Sequence, residues 1–226
     1  LAVDNDMLHA MDPSIDNYVT VCTSHVTDMH DLFYNDNFNQ DISRWDTSNV
    51  INMGKMFSYS TFNGDIGNWD VSSVTNMEWM FMEAHSFNQL IGNWDVGSVT
   101  NMNNMFNDAY DFNLPIGNWD VSSVTTMSAM FSISYTGVGD FNQPIGNWDV
   151  GSVTNMHGMF HGADEFNQPI GNWDVSSVTD MRWMFHRAHS FNKPIGNWDV
   201  SSVTNMAGMF DSVENFNQPI GSWDVS

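Results

Sequence analysis

The hexapeptide Ile-Gly-Asn-Trp-Asp-Val, followed by Ser-Ser-Val-Thr-Asn-Met or a close variant, recurs down most of a 226-residue chain. Its tryptophans, Trp45, Trp69, Trp94, Trp119, Trp148, Trp173, Trp198 and Trp223, are spaced by 24, 25, 25, 29, 25, 25 and 25 residues, and each is followed by Asp. A fixed period in the twenties restricts the chain to architectures in which one unit stacks on the next, so a solenoid is expected and not a domain around one central core. Residues 24–226 read as a single repeat domain and residues 1–23 as the N-terminal cap or flanking segment that such a stack needs. The chain stops in mid-repeat at Trp223-Asp224-Val225-Ser226, which reads as a fragment of something longer.

Spacing inside one unit predicts its parts. Around Asn93–Gly97 apolar and polar residues alternate, as in a short strand with Trp94 and Val96 inward and Asn93, Asp95 and Gly97 outward. Val99, Met102, Met105, Phe106 and Ala109 then fall at helical spacing along one apolar face, with Ser98 or Thr100 to cap the first turn. Pro115, Pro144, Pro169, Pro194 and Pro219 stop the helix and return the chain. A Phe-Asn pair precedes each strand, and its asparagines, from Asn39 to Asn217, are expected to hold turn backbone. The unit between Trp119 and Trp148 is longer by four residues, a surplus within Ser132–Gly139 that predicts a loop.

The combined signature Phe-Asn-x-x-Ile-x-x-Trp-Asp-Val-x-x-Val-x-x-Met-x-x-Met-Phe, over about Ser24 to Ser226, resembles the BspA-like leucine-rich repeat surface proteins of bacteria. That family is also abundant among mycoplasma surface lipoproteins. Trp, Val and Met stand here where ordinary leucine-rich repeats carry Leu. The resemblance implies an α/β fold, in which a right-handed, leucine-rich-repeat-like solenoid carries a parallel sheet on one face and short helices on the other, in about eight rungs of 25 residues. It also implies an extracellular or cell-surface module for adhesion or recognition, without enzymatic activity.

Formal charge is −22, with only five Lys plus Arg, which argues against nucleic acid and anionic membranes as partners and favours cations or basic surfaces. With 42% hydrophobic residues the chain is not a disordered acidic tail. Cys22 is the only cysteine, so no internal disulfide forms, and a buried inert thiol is expected. Leu1–Ala10 holds neither a basic region nor an apolar run of the length a signal peptide or membrane span needs.

Stacked in register, the strands align Asp46, Asp70, Asp95, Asp120, Asp149, Asp174, Asp199 and Asp224 in one column. Neighbouring unit charges one strand spacing apart repel by roughly 0.9 kcal/mol even in water. Beside them run Asn68, Asn93, Asn118, Asn147, Asn172 and Asn197, and a Ser or Gly column that includes Ser72, Ser122, Ser176 and Ser201. Two readings follow: these oxygens suit calcium, or each Asp accepts hydrogen bonds from the Ser and Thr just after it and holds a turn. The Asn column, with Trp79 and Trp183 at the variable position before Met80 and Met184, is the candidate partner surface. The repeated methionines read as adaptable core.

His157 with His161, and His186 with His189, have metal-compatible helical spacing but lack the Glu of a zinc-protease motif, and read as surface histidines. Asp4-Asn5-Asp6 begins like a calcium loop without its glycine or terminal Glu. No catalytic triad, phosphate loop or acid–base pair breaks the repeat register, so an enzyme is not expected. The leading expectation is a surface module that binds a protein or glycan partner or a second copy of itself, with calcium bridging the carboxylates of a homodimer. A passive spacer is the alternative, and an ice-binding solenoid, on the Ser and Thr ranks, a less favoured one.

Overall fold

In the computed structural model, which describes residues 2–134 and 139–225, each repeat is one circuit of chain laid on the next. The expected α/β architecture, a parallel sheet on one face and short helices on the other, is not what the repeats form. Among the described residues the only helical segments are α1 (Asn5–His9) and a single 3-10 turn (Tyr18–Thr20), both ahead of the repeats. Parallel pairing among the described residues is confined to isolated one-residue bridges, which build no sheet. The loop expected within Ser132–Gly139 has its centre, 135–138, outside the described residues.

The strand fails because two turns consume it. Trp94 N donates to Ile91 O at 3.1 Å and Val99 N to Val96 O at 2.9 Å, so the segment 93–97 bends at both ends and offers no edge to a neighbour. The alternation that suggested a strand is nevertheless real: Trp94 and Val96 are buried, and Asn93 and Asp95 exposed. Abutting turns also send successive side chains to opposite sides. Pairing retreats to one residue per repeat, in the column Asp28, Asn52, Asn76, Asn101, Thr126, Asn155, Asp180 and Asn205. Around Asn76, for example, Thr100 N donates to Thr75 O at 2.9 Å and Met77 N to Asn101 O at 3.0 Å.

The helix fails for a different reason. In an α-helix each N–H bonds four residues back. Here Met77, Trp79, Phe81 and Glu83 donate instead to Asn101, Asn103, Met105 and Asn107 of the next repeat, at 2.8–3.0 Å. The intervening Met80, Met82 and Ala84 donate three residues back, to Met77, Trp79 and Phe81, at 3.1–3.3 Å. Trp79 and Glu83 have φ of 57° and 56°, in the left-handed region that a right-handed helix excludes. The pair recurs at Asn104 and Asp108, Gly158 and Gly162, and Trp183 and Arg187. The result is a run of turns cross-bonded to the next repeat, which buries Met77, Met80, Phe81 and Ala84 at the spacing a helix would have used.

The core is three aromatic files. Trp119 lies over Trp148 (ring centroids 6.4 Å, planes 2° apart), Phe81 over Phe106 (5.6 Å, 8°) and Phe87 over Phe112 (6.1 Å, 20°). Each indole N–H is also satisfied, as buried Trp requires: Trp94 Nε1 donates to Ile66 O, and Trp119 Nε1 to Ile91 O, both at 3.1 Å. The glycine of Ile-Gly-Asn-Trp is dictated by the same stacking. A Cβ on Gly146 would sit 2.2 Å from Pro169 O of the next repeat, so no side chain fits. From Asn63 to Asn217 the Phe-Asn asparagines form a ladder, each Oδ1 accepting from the next one's backbone N–H, as Asn113 does from Asn142 and Asn142 from Asn167 at 3.0 Å.

Residues 2–23 pack on the first repeat. Asp4 caps α1 through Met7 N, while Asn5 Oδ1 accepts from Thr27 N and its Nδ2 donates to Thr27 Oγ1, so Asp4-Asn5-Asp6 serves a cap and a docking contact. Tyr18 is buried against Phe33 and Phe38, donates its hydroxyl to Met11 O, and has its phenol pushed up to about 12, by burial first and by Asp16, Asp36 and Asp12 after it. Repeat geometry reaches back to Val21-Cys22-Thr23: Thr23 Oγ1 donates to Asp46 O as Thr47 Oγ1 does to Asp70 O, each at 2.9 Å. Cys22 therefore stands at an aspartate position and is exposed, not buried as expected.

Candidate functional site

One side of the stack presents the uniform hexapeptide. Asp46, Asp70, Asp95, Asp120, Asp149, Asp174, Asp199 and Asp224 are all exposed along it. Each turn uses its own carboxylate: Asp70 Oδ1 accepts from Ser72 N at 3.1 Å and Ser72 Oγ at 2.6 Å, and Asp120 and Asp174 do the same with Ser122 and Ser176. Asp95 and Asp149, followed by Gly97 and Gly151, accept from the backbone N–H alone. The serine hydroxyls, reinforced by the serine N–H groups, hold Asp70, Asp120, Asp174 and Asp199 below the ordinary carboxylate range. Among the described residues no three carboxylates, imidazoles or thiolates converge as a metal site.

Asn68, Asn93, Asn118, Asn147, Asn172 and Asn197 are exposed beside this column. Asn93 and Asn118 line a shallow groove with Leu90, Gly92 and Pro115, and Asn172 and Asn197 line another with Pro169, Pro194 and Pro219. These grooves repeat one composition and offer little to tell one repeat from another.

The other side is built by the left-handed turns, and there the repeats differ. Between the bridging residue and the second Phe the chain reads MHDLFYNDNF, MGKMFSYSTF, MEWMFMEAHSF and MNNMFNDAYDF in the first four repeats, then MHGMFHGADEF and MRWMFHRAHSF in the sixth and seventh. Met or Leu, Phe and a frequent Ala are fixed and buried, and the remaining positions vary. This side collects three of the five Lys plus Arg (Lys55, Arg182, Arg187) and six of the eight His (His30, His85, His157, His161, His186, His189). It also carries aromatics at the surface, exposed in Tyr34 against Tyr59 (5.8 Å) and Trp79 under Lys55 Nζ (4.8 Å), and half-buried in Tyr110, on which exposed His85 stacks (4.4 Å, 10°). Trp79 and Trp183, expected at the surface, are 37% and 50% exposed.

His157 and His161 do not share a helix face, because there is no helix. They flank Trp183, at 5.7 and 6.5 Å between ring centroids. His186 turns to His161 (4.7 Å) and Asp211 (3.5 Å), whereas His189 leaves the group for Asp164 at 2.5 Å. Burial above all, then His186, Arg187 and His157, lowers the His161 pKa against the opposing pull of Asp108. Lys55, Tyr59, Tyr110, His161 and His186 were not singled out as one surface from the sequence. The signal lay in the contrast between variable residues after each bridging position and the monotony of the hexapeptide.

Comparison with protein families matches the chain to the family described as "Mycoplasma protein of unknown function, DUF285", over residues 5–96, 58–136 and 133–226. The chain belongs to this family. DUF285 accounts for the mycoplasma half of the resemblance drawn from the sequence, and the leucine-rich half finds no support in it. Neither the curated proteins nor the solved structures give a match. Among the described residues of this DUF285 chain, no helix is long and apolar enough to cross a membrane.

Proposed function

We propose that the chain is a recognition module of a surface-displayed repeat protein, and that its recognition surface is the left-handed-turn side. One observation carries this reading. Trp79 and Trp183 are held at positive φ, where a bulky residue costs about 1–2 kcal/mol, at a column position that other repeats fill with Gly158 and Gly208. The backbone asks for glycine there, and the exposed indoles serve no core, so what retains them is contact with something outside the chain. The variation around them supports the same reading, since a surface that only extends a stack has no need of different side chains in each repeat.

The uniform side is then the scaffold, which builds turns with its Asp carboxylates and fills the core with its Trp rings. The test is binding of the purified chain to an array of immobilised glycans and purified extracellular proteins. Replacing Tyr59, Trp79, Tyr110 and Trp183 together by Ser is expected to abolish capture, and replacing Asp95, Asp120 and Asp149 by Asn to leave it within about twofold. Loss through the Asp variant alone would move recognition to the other side. Silence of the wild-type chain on the whole array would leave a spacer role in its place.

A further inference from the structure

Trp79 and Trp183 are the same position in two repeats, with φ of 57° and 54°, yet their surroundings differ in one decisive way. The column neighbour of Trp79 in the preceding repeat is Lys55, and its ammonium lies 4.8 Å from the indole centroid. The column neighbour of Trp183 in the preceding repeat is Gly158, which has no side chain to lay over the ring. On its other flank Trp183 rests on Gly208, where a Cβ would fall 2.3 Å from Cδ1 and 2.5 Å from Nε1. Glycine before and after thus seats the indole on backbone and leaves it half exposed, as an open aromatic platform.

The rim of the platform is polar and of mixed sign. His157, His161 and His186 surround the ring at 5.7, 6.5 and 6.4 Å between centroids, with Asp211 3.5 Å from His186 Nε2. Arg187 bears on His161, while Arg182 is held by Asp180 at 2.6 Å. An anionic ligand must approach a chain of charge −22, and Arg187, near enough to bear on His161, opposes a cationic one. An apolar side chain would leave the imidazoles and the carboxylate facing it without partners. A neutral ligand with an apolar C–H face and hydroxyls around its edge satisfies both the ring and the rim.

Resting on the recognition reading above, we infer that Trp183, between Gly158 and Gly208 and rimmed by His157, His161 and His186, is the stacking platform for a hexose unit of a neutral glycan. The C–H face of the sugar lies on the indole, and its hydroxyls exchange hydrogen bonds with imidazole nitrogens and the Asp211 carboxylate. At Trp79 the same position carries Lys55 over the ring.

The experiment is titration of the full chain with neutral oligosaccharides of glucose, galactose, mannose and N-acetylglucosamine, with choline, oligolysine and a sulfated oligosaccharide as charged comparators. At least one neutral oligosaccharide is expected to bind saturably, with Trp183→Gly and Gly158→Lys each weakening it by about tenfold or more and Asp95→Asn, on the uniform side, leaving it unchanged. Gly158→Lys is the sharper variant: position 158 has the φ of 59° that Lys55 adopts at 56°, and a Cβ there meets nothing closer than His161 Cβ at 3.7 Å. It should fold, with a melting temperature lowered only by the strain of a Cβ at positive φ, while placing an ammonium over Trp183. The inference is overturned if no neutral oligosaccharide binds, if binding ignores both variants, or if choline, oligolysine or the sulfated sugar is the ligand lost with Trp183. The recognition reading survives any of these if the array above yields a partner dependent on the other turn-side aromatics, and falls with it if the array is silent.

Discussion

The two sides of each repeat solve different problems with the same backbone economy. On the hexapeptide side every repeat has nearly the same residues because each of them is fixed by a contact. Gly146 clears Pro169 O, Trp119 Nε1 reaches Ile91 O, and Asp120 closes the turn at Ser122. On the turn side the backbone is held by bonds that need no particular side chain, such as Trp79 N to Asn103 O and Glu83 N to Asn107 O. Stacking is thereby separated from surface chemistry. A chain so organised can alter its exposed turn residues repeat by repeat without disturbing its core.

The strongest way to sharpen that contrast is to remove a ring from the uniform side. Trp119→Ala is expected to cost about 3–5 kcal/mol, since it leaves a cavity in the tryptophan file and removes one of the two hydrogen bonds to Ile91 O, and denaturant unfolding will read the loss. Next comes Gly146→Ala, at about 1–3 kcal/mol, because its methyl group meets a backbone carbonyl that cannot move without shifting a whole repeat. On the turn side Trp183→Gly should change stability by no more than about 1 kcal/mol in either direction, relief of the left-handed strain offsetting the lost contacts. A loss there equal to that of Trp119→Ala would erase the distinction between scaffold and surface.

Much of this was legible in the sequence, and what was not has a physical cause. The period gave the stack, and the alternation around Trp94 gave the inward ring, because both follow from which side chains must be buried. Backbone hydrogen bonding did not follow from the same pattern. Met77, Met80, Phe81 and Ala84 present one apolar spacing whether they lie on a helix or on linked turns, and only the residues between them decide. Gly158, Gly162 and Gly208, with Asn104, marked the left-handed columns, but Trp79, Lys55 and Trp183 in the same columns concealed them. The exposed position of the two tryptophans was legible from their irregularity, whereas their imidazole rim depended on the turn geometry.

Acid should separate the two sides by a smaller effect. The folded pKa of His161 lies below its unfolded value near 6.5, so the unfolded chain binds the proton first and stability falls as pH drops below about 6.5. The folded pKa values of Asp120 and Asp174 are depressed, so their contribution is present above an unfolded value near 3.9 and is lost as pH falls through the folded one. The difference in melting temperature from wild type across pH 7 to 3 should therefore change in different windows for the two variants, a gap opening for His161→Gln below about 6.5 and a gap already present at pH 7 closing for Ser122→Ala only below about 4. Changes of both in one window would contradict the assignment of the shifts.

The central claim, that folding and recognition reside on opposite sides of each repeat, is tested most directly by sorting one library twice. Single-substitution variants of the displayed chain would be selected for protease resistance, and separately for capture by the ligand that the array identifies. Substitutions that abolish capture while keeping protease resistance are predicted to fall at Tyr59, Trp79, Tyr110, His161, Trp183 and His186. If they fall instead along Asn68 to Asn197 and Asp46 to Asp199, the uniform side is the binding surface and the account is wrong.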